Sequence, residues 1–338
     1  MDNKKRVLVV GAGGFAGGFM VAEGLRRGYE VWAGVRQSTS RTFLSDGRIR
    51  FLTLDFDDPS SLAPALRAAL PEGERWDYIV YNLGATKALL FADFNRINHD
   101  YLRDFLAALK QTGMTPDRLL FISSLSVMGP GDDKTYTPFT AASIPAPDTR
   151  YGASKLKAEM CLASSGVPYI IFRCTGIYGP HERDYYLMYK SIASGVDFSV
   201  GYRRQMLTFI YIEDLCRAVY QALEHAPSGK TYLIAEGRAY TQREFRKIAA
   251  EAVGRRHILP IVAPLWVLKA VCSIGGLIGR LRHRPMTLNP DKYRIMRQRN
   301  WQADIDDAVR DFGFDPQTDL AEGSRRAVEW YRQAGWLK

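Results

Sequence analysis

The sequence predicts an α/β fold in which a doubly wound parallel sheet is followed by a smaller, mainly helical second domain. Three observations support this. Short, fully apolar runs alternate with amphipathic stretches, a glycine-rich turn directly follows the first run, and helical patterns dominate the last hundred residues. The 338 residues, 46% of them hydrophobic, suffice for two domains.

Seven apolar runs are predicted to form the strands of this sheet. The first, Arg6–Val10, is continuous rather than alternating, which is typical of a parallel strand buried on both faces. The helix expected near the C-terminus spans 319–330, and Thr241 with Glu244 forms a capping box for another helix. The runs occupy residues 6–10, 30–35, 50–56, 77–82, 118–124, 169–173 and 230–235.

A glycine-rich turn joins the first strand to the first helix. Gly11, Gly14 and Gly17 stand three residues apart, with Phe15 inside the turn. Residues without side chains let the backbone turn tightly and let a pyrophosphate reach the positive end of the helix. In this strand–turn–helix context the motif predicts a Rossmann-type dinucleotide site. The alternative is a glycine turn that only packs two elements together.

The end of the second strand indicates which dinucleotide binds. Dinucleotide folds that prefer NAD usually place an acid there, whereas an arginine accommodates a 2′-phosphate. The residue here is Arg36, Arg41 follows, and the first acid is Asp46. Guanidinium groups suit a phosphate monoester. The sequence therefore favours NADP(H), with NAD(H) possible, unless both arginines are merely solvated.

Two further segments are expected along the cofactor. Asp55, followed by Phe56, ends the third strand where it could reach the adenine, and Asn82, Leu83 and Gly84 follow the fourth strand. Ligands of open α/β sheets bind at this carboxyl edge. The predicted dinucleotide-binding domain covers residues 1–180, with 209–235 returning to it, and the second domain comprises 181–208 and 236–338.

Tyr151 and Lys155 lie four residues apart at the start of a predicted helix, so their side chains share one face. A lysine ammonium beside a phenol favours the phenolate, and we expect it to lower the pKa of Tyr151 toward neutrality. Ser124, at the end of the fifth strand, is expected to face the same pocket. The alternatives are an exposed helical pair and a serine that bonds only its own backbone.

These motifs, in this order and spacing, resemble the extended short-chain dehydrogenase/reductase family, nearest its hydroxysteroid dehydrogenase-like branch. The resemblance covers nearly the whole chain. It also includes Asn98, Tyr178-Gly179-Pro180, Tyr211-Ile212-Glu213-Asp214 and Asp311-Phe312-Gly313-Phe314-Asp315-Pro316.

The resemblance implies a catalytic role for four residues. Tyr151 would exchange a proton with a substrate oxygen while hydride moves between substrate and nicotinamide. Lys155 would hold the nicotinamide ribose, Ser124 would bind the same oxygen, and Asn98 would support a proton path and a helix kink. Many relatives form homodimers through the helices beside the fourth and fifth strands.

Two departures from the family bear on the substrate. Nucleotide-sugar members usually carry an Asn where this chain has Gly176, and an Arg where it has Leu207. We therefore predict an oxidoreductase for a secondary alcohol or ketone of a steroid- or isoprenoid-like molecule. The alternatives are a nucleotide-sugar epimerase or dehydratase and a non-catalytic dinucleotide-binding protein. The aromatic residues Tyr185, Tyr186 and Tyr189, together with Met188, are expected in the pocket unless they are ordinary core residues.

The composition limits the other partners. The formal net charge is +10, but the basic residues are dispersed, so phosphate-bearing cofactors are favoured over nucleic acid. The four cysteines show no metal-ligand spacing, so no metal is expected, and they suit a reducing cytoplasm. No secretory signal precedes the first strand.

The apolar span 258–281, followed by basic residues at 280–284, is predicted to form a core or pocket-lining helix, with an interfacial membrane helix as the alternative.

Overall fold

The computed structural model describes residues 4–88, 90–282, 286 and 288–337, and within them the chain forms twelve strands and twelve α-helices. His283 and Arg284, part of the predicted basic segment, lie outside these residues. The strands are β1 (Arg6–Val10), β2 (Glu30–Val35), β3 (Arg50–Thr53), β4 (Tyr78–Tyr81), β5 (Arg118–Ser124), β6 (Tyr169–Cys174), β7 (Gly176–Tyr178), β8 (Val196–Val200), β9 (Met206–Tyr211), β10 (Lys230–Ile234), β11 (Ala239–Thr241) and β12 (Leu259–Ala263). The helices are α1 (Phe15–Arg26), α2 (Leu62–Ala69), α3 (Phe91–Asn95), α4 (Tyr101–Thr112), α5 (Arg150–Ala163), α6 (Arg183–Ala193), α7 (Ile212–His225), α8 (Gln242–Val253), α9 (Leu265–Leu281), α10 (Pro290–Arg297), α11 (Asp306–Phe312) and α12 (Leu320–Gln333).

The main sheet contains the seven predicted strands in the order β10-β6-β5-β4-β1-β2-β3, and every adjacent pair is parallel. The strand order reverses between β1 and β4, which is where doubly wound sheets bind their ligands. The predicted fold class is confirmed. β3 ends at Thr53, earlier than the predicted 56, because the chain turns into the loop that precedes α2.

Both faces of the main sheet are covered, as its apolar strands require. Val7, Val9 and Val80 pack in one hydrophobic cluster together with residues of α1 and α7. Leu8 and Ile79, which point the other way, pack in a second cluster with residues of α2, α4 and α5. Burial on both faces explains why these strands read as continuous apolar runs.

Two smaller sheets lie outside the main one. β9 pairs with β7 and with β11 in a three-stranded sheet, and β8 pairs in parallel with β12 in a two-stranded ribbon. The sequence analysis did not assign β8 or β11, because strands of three to five residues with mixed polarity carry little periodic signal, and it included the apolar β12 in the helix expected over 258–281. The capping box at Thr241 and the C-terminal helix, α12, are confirmed.

The prediction of one core or pocket-lining helix over 258–281 was wrong. The segment begins as strand β12 and continues, after Pro264, as α9. Only one narrow side of α9 is buried, because Leu268, Cys272, Gly275 and Gly279 recur at helical spacing. No helix in the described part of the chain has the length and hydropathy to cross a membrane.

Candidate active site

The glycine turn between β1 and α1 has the geometry that a pyrophosphate needs. Gly11 has a φ of 84°, and a Cβ there would lie 2.8 Å from the Leu83 nitrogen. A side chain at Gly17 would collide with the Gly11 carbonyl, whereas one at Gly14 would meet nothing closer than 3.5 Å. The turn is therefore tight on its inner side and open on its outer side.

The first turn of α1 is available to an anion. Among the described residues no side chain caps this helix, and its first turn contains no acid. The amide groups at such a helix start attract negative charge. The ring of Phe15, at the first helical position, packs edge-on against Phe19 at 5.9 Å. The residues present thus fit the pyrophosphate of a dinucleotide.

The two arginines after β2 border the same turn. Both Arg36 and Arg41 are exposed; the Arg36 amide donates to the Thr39 hydroxyl at 3.1 Å, and the Arg41 guanidinium lies 4.1 Å from the centre of the Phe51 ring. The Thr39 methyl group packs where a side chain at Gly13 would stand. The loop with the arginines therefore lies against the glycine turn.

The structure separates the two residues predicted at the adenine end. Asp55 is exposed and accepts a hydrogen bond from the Asp57 amide at 3.0 Å. Phe56 is buried, with its ring 5.2 Å from that of Tyr101 and 6.5 Å from that of Tyr81. The sequence analysis placed Phe56 along the cofactor. Its ring instead packs in the core and cannot make that contact.

The loop after β4 connects the glycine turn to the catalytic helix. Asn82 donates its amide to Val10 and so continues the sheet edge, and Leu83 lies against Gly11. At Gly84 an added Cβ would lie 3.7 Å from the Lys155 ammonium nitrogen. These three residues thus follow a path along the carboxyl edge from the pyrophosphate site toward Lys155.

Asn98 fixes this loop against the catalytic helix. It is fully buried in a π-helical segment, Arg96–Asp100, which corresponds to the helix kink that the resemblance implies. Its Oδ1 accepts from the Ala85 amide at 2.7 Å, and its Nδ2 donates to the Ala85 carbonyl at 3.1 Å and to Ser154 Oγ at 2.9 Å. Ser154, which the sequence analysis did not single out, donates to the Tyr151 carbonyl at 2.7 Å. A role of Asn98 in proton transfer stays a prediction.

The helix that carries Tyr151 is anchored at its start from two sides. The Thr149 hydroxyl accepts from the Gly152 amide at 2.9 Å, as an N-cap. Asp291, from α10, accepts from the amides of Arg150 at 3.1 Å and Tyr151 at 3.4 Å. Sequence reasoning missed Asp291 because no local pattern links positions 140 residues apart.

Lys155 is buried between β5 and the loop after β4. Its ammonium donates to the Ile122 carbonyl at 2.6 Å and lies 4.0 Å from the centre of the Phe121 ring. Burial lowers the pKa of Lys155 to about 8, and the carboxylate of Glu159 acts in the opposite direction. An ammonium with one protein acceptor has protons left for ribose hydroxyls, so its position fits the predicted role.

The expected effect of Lys155 on Tyr151 was wrong for the protein without cofactor. Burial raises the pKa of Tyr151 to about 12, and the nearby Ser124 hydroxyl acts only partly against it. The Lys155 ammonium is directed to the Ile122 carbonyl, at 2.6 Å, and the structure records no hydrogen bond between it and the phenol. The phenol is therefore protonated at neutral pH, which suits a proton donor.

Ser124 meets both of its predicted descriptions. Its Oγ accepts from the Ser126 amide at 3.1 Å, the local bond expected of a serine at a strand end. It also lies in the wall of a cavity of about 240 Å³ beyond the end of β5. The serine thus lines this cavity while bonding its own backbone; Tyr151 and Lys155 are not among the residues that line it, so a pocket shared by all three stays a prediction.

The cavity beside Ser124 is lined mainly by apolar and aromatic side chains. Gly176 and Leu207, the two positions that depart from nucleotide-sugar relatives, both lie in its wall. The Tyr185 hydroxyl occupies the space that a side chain at position 176 would take. Ile295 and Trp301, which carry no recognisable motif, complete the wall from the C-terminal part of the chain.

Only one of the four side chains predicted around residues 185–189 lines this cavity. Tyr185 does so, whereas Tyr189 is fully buried and bonds Ser324 at 2.8 Å. Tyr186 donates to the Trp336 carbonyl at 2.6 Å, and Met188 is exposed. For Tyr186 and Tyr189 the core alternative was the correct one, and the exposed Met188 fits neither expectation. Helical periodicity distributes neighbouring residues over different faces, so a cluster in sequence need not be a cluster in space.

A parallel sheet, a glycine turn after its first strand, and a serine, a tyrosine and a lysine near its carboxyl edge are the arrangement typical of dinucleotide-dependent enzymes of the short-chain dehydrogenase/reductase type. The profile of the NAD dependent epimerase/dehydratase family matches residues 7–235. The chain belongs to this family, and the expected relation to the extended short-chain dehydrogenases/reductases is confirmed.

Individual relatives are more distant. The chain is 24% identical over 337 residues to a ceramide reductase of Caulobacter vibrioides, across 99% of this chain and 97% of that protein. It is 23% identical over 216 residues to a dTDP-glucose 4,6-dehydratase of Escherichia coli, across 61% of this chain and 54% of the other.

Solved structures share the fold over nearly the full length. A dTDP-glucose 4,6-dehydratase from Streptomyces venezuelae with NAD bound superposes with a TM-score of 0.77 at 22% identity, covering 98% of this chain and 99% of the other. A UDP-glucose 4-epimerase from Thermotoga maritima with UDP-glucose gives 0.76 at 19%, covering 97% and 99%. At these identities the likeness establishes the fold alone.

Proposed function

We propose that the protein is an NADP(H)-preferring oxidoreductase that transfers hydride between nicotinamide and a secondary alcohol or ketone of a hydrophobic molecule. The cavity beside Ser124 carries the proposal. Its wall presents Leu207, Phe209 and Trp301 to the substrate. The sequence predicts a steroid- or isoprenoid-like substrate. We extend this substrate class to lipids, because a relative matched along nearly its whole length is named a ceramide reductase.

The charge of the cavity supports an uncharged substrate. Among the described residues that line it, none is a lysine or an arginine. The nearest arginine along β6, Arg173, is buried and pairs with Glu159 at 2.7 Å. A nucleotide diphosphate brought into such a wall would lose water without gaining a cationic partner, which is unfavourable.

The protein side chains have separate chemical roles in the proposed reaction. The bound dinucleotide would supply or accept the hydride. Tyr151, protonated at neutral pH, donates a proton to the oxygen of a ketone as negative charge develops there. Ser124 hydrogen-bonds the same oxygen, and Lys155 holds the ribose. The protonated phenol is the form that the reduction of a ketone requires.

The second candidate is a nucleotide-sugar epimerase or dehydratase, because several relatives and structural neighbours carry those names. A substrate panel separates the two. With NADPH, we expect the reduced-nicotinamide absorbance to fall in the presence of long-chain keto lipids or ketosteroids, and no conversion of UDP- or dTDP-sugars. If a nucleotide sugar were converted and no ketone of the panel caused oxidation of NADPH, the lead proposal would be wrong.

The preference for NADP(H) rests on Arg36. Replacing Arg36 with Ala should weaken NADPH binding by on the order of tenfold and leave NADH binding nearly unchanged, because a charge-assisted bond to the 2′-phosphate is lost. Calorimetric titration with both cofactors measures this. Arg48→Ala is the matched control, since Arg48 is exposed nearby but bonds Asp46 at 2.7 Å. Equal losses for NADPH and NADH in the Arg36 variant would refute the phosphate role.

Three broader features remain proposals. Residues 181–208 and 236–338 are proposed as the substrate-binding part, since they contribute Tyr185, Ile295 and Trp301 to the cavity. A homodimer is proposed through α4 and α5, the helices expected to pair in relatives. A cytoplasmic location fits the four free cysteines.

A further inference from the structure

One region of the surface is unusually apolar. Trp266 and Leu281 on α9 are each 73% exposed, and Phe198 on β8 is 67% exposed. We call this region the apolar face. Its principal members are Trp266, Ile274, Leu277 and Leu281 of α9, with Phe198 of β8 and Ile261 of β12. Several large apolar side chains exposed on neighbouring elements are typical of an interaction site.

α9 presents three different faces around its axis. Leu268, Cys272, Gly275 and Gly279 are buried against the protein. On the opposite side the helical spacing aligns the exposed Trp266, Ile274, Leu277 and Leu281. Lys269 and Arg280, eleven residues apart, lie on one flank between these two sides. A helix with an apolar outer face and cations at its flank is typical of a helix lying in a membrane interface.

The β8–β12 ribbon extends the apolar face beside the helix. Phe198 and Ile261 are direct neighbours in the ribbon register. Val200, two residues beyond Phe198 and on the same side of the strand, packs with Leu268 and Cys272 of α9. The helix therefore covers one end of the ribbon and leaves the other end exposed next to it.

The stretch that forms β12 and α9 carries charge of one sign. No Asp or Glu occurs in the sequence between Glu251 and Asp291. The same stretch carries exposed Arg255 and Arg256 at the turn before β12, and exposed Arg280 and Arg282 at the end of α9. Basic groups beside an exposed apolar surface complement the anionic headgroups of a bilayer.

We propose that the apolar face docks on an anionic lipid bilayer, with α9 lying in the interface and the arginines contacting the headgroups. A second copy of the chain is a less favourable partner for the apolar face. In a two-fold contact the same surface meets itself, so the cations of both copies would approach with no acidic group in this stretch to pair with them.

The position of the apolar face gives docking a consequence for substrate access, which rests on the proposed function. α10 packs beside α9, and its Tyr293 and Met296 lie against the cluster that Leu268 and Cys272 form with Val200. Ile295 of the same short helix lines the cavity beside Ser124. When the protein is docked, one wall of its substrate cavity would therefore lie only one helix away from the bilayer. A hydrophobic substrate is dissolved in that bilayer.

Vesicle flotation of the full chain tests the docking without any substrate. We expect the protein to float with vesicles of phosphatidylcholine containing phosphatidylglycerol, and less with phosphatidylcholine alone or at high salt. Ile274→Gln/Leu277→Gln should reduce the bound fraction by on the order of tenfold, and Arg280→Gln/Arg282→Gln should weaken only the anionic-lipid component. Ile144→Gln/Val309→Gln, at exposed apolar positions elsewhere, is the matched control.

Three results would overturn the docking proposal. The wild type could fail to bind either vesicle, the control pair could lose as much binding as the α9 pair, or light scattering could show that the α9 substitutions dissociate an oligomer. Circular dichroism establishes that the variants fold. Turnover of a short-chain, water-soluble ketone is measured in parallel: if that activity persists while flotation fails, the docking is wrong and the proposed function stands.

Discussion

Replacing Tyr151 with Phe is expected to lower turnover by about 10²- to 10⁴-fold, the range that a positioned general acid contributes. The change removes only the hydroxyl that delivers the proton. The ring of Tyr151 lies 6.2 Å from that of Phe94, and phenylalanine keeps this packing. Cofactor binding should therefore persist. Stopped-flow or steady-state kinetics, with calorimetric titration of NADPH, measure both quantities.

A second tyrosine supplies the control for this experiment. Tyr186→Phe removes a hydroxyl that donates to the Trp336 carbonyl in the second part of the chain, away from Ser124 and Lys155. It should cost stability but leave kcat close to the wild-type value. If Tyr151→Phe retained more than about a tenth of the wild-type turnover, the assignment of Tyr151 as proton donor would be wrong.

The fold and the cofactor site are largely readable from the sequence because they rest on local patterns. Burial on both sheet faces makes β1 continuous in hydrophobicity, and the need for a bare backbone puts Gly11 and Gly17 in the turn that follows. The sequence signal of each requirement lies in neighbouring residues, although its physical cause, such as the approach of Leu83 to Gly11, does not. These signals can therefore be recognised before any tertiary contact is known.

The substrate side is much less readable because it is assembled from distant segments. Asp291 holds the start of α5, and Ile295 and Trp301 complete the cavity, yet none of them stands in a motif. Electrostatics is equally non-local. The spacing of Tyr151 and Lys155 suggested that the pKa of the phenol is lowered. In the structure the Lys155 ammonium donates to the Ile122 carbonyl, and burial raises the pKa of Tyr151 instead.

The largest stability effect is expected at a buried ion pair behind the catalytic helix. The side chains of Arg173 and Glu159 are 9% and 5% exposed. Arg173 donates to Glu159 from Nη2 at 2.7 Å and from Nε to both carboxylate oxygens at 3.2 Å. Ser123 donates to the same carboxylate at 2.5 Å. Replacing Arg173 with Met should lower the free energy of unfolding by about 3–5 kcal/mol, because an unpaired carboxylate stays buried.

The pH dependence of this loss distinguishes an unpaired charge from a packing defect. In the Arg173 variant burial should raise the pKa of Glu159 above its unfolded value, so the native state binds a proton that the unfolded state releases. Stability then falls as pH rises from the unfolded toward the folded pKa, and the deficit should be smaller at pH 5 than at pH 8. Urea unfolding at the two pH values measures it.

Glu159→Gln/Arg173→Met provides the decisive comparison, because it removes both charges and keeps an acceptor for Ser123. Replacing a buried ion pair by uncharged groups of similar size is often neutral, so the double variant should regain most of the stability that Arg173→Met loses. It should also leave Lys155 with a lower pKa, since the Glu159 carboxylate acts against the lowering that burial causes. A double variant as unstable as the single one, with no pH dependence in either, would mean that Arg173 stabilises the sheet by packing rather than by its charge.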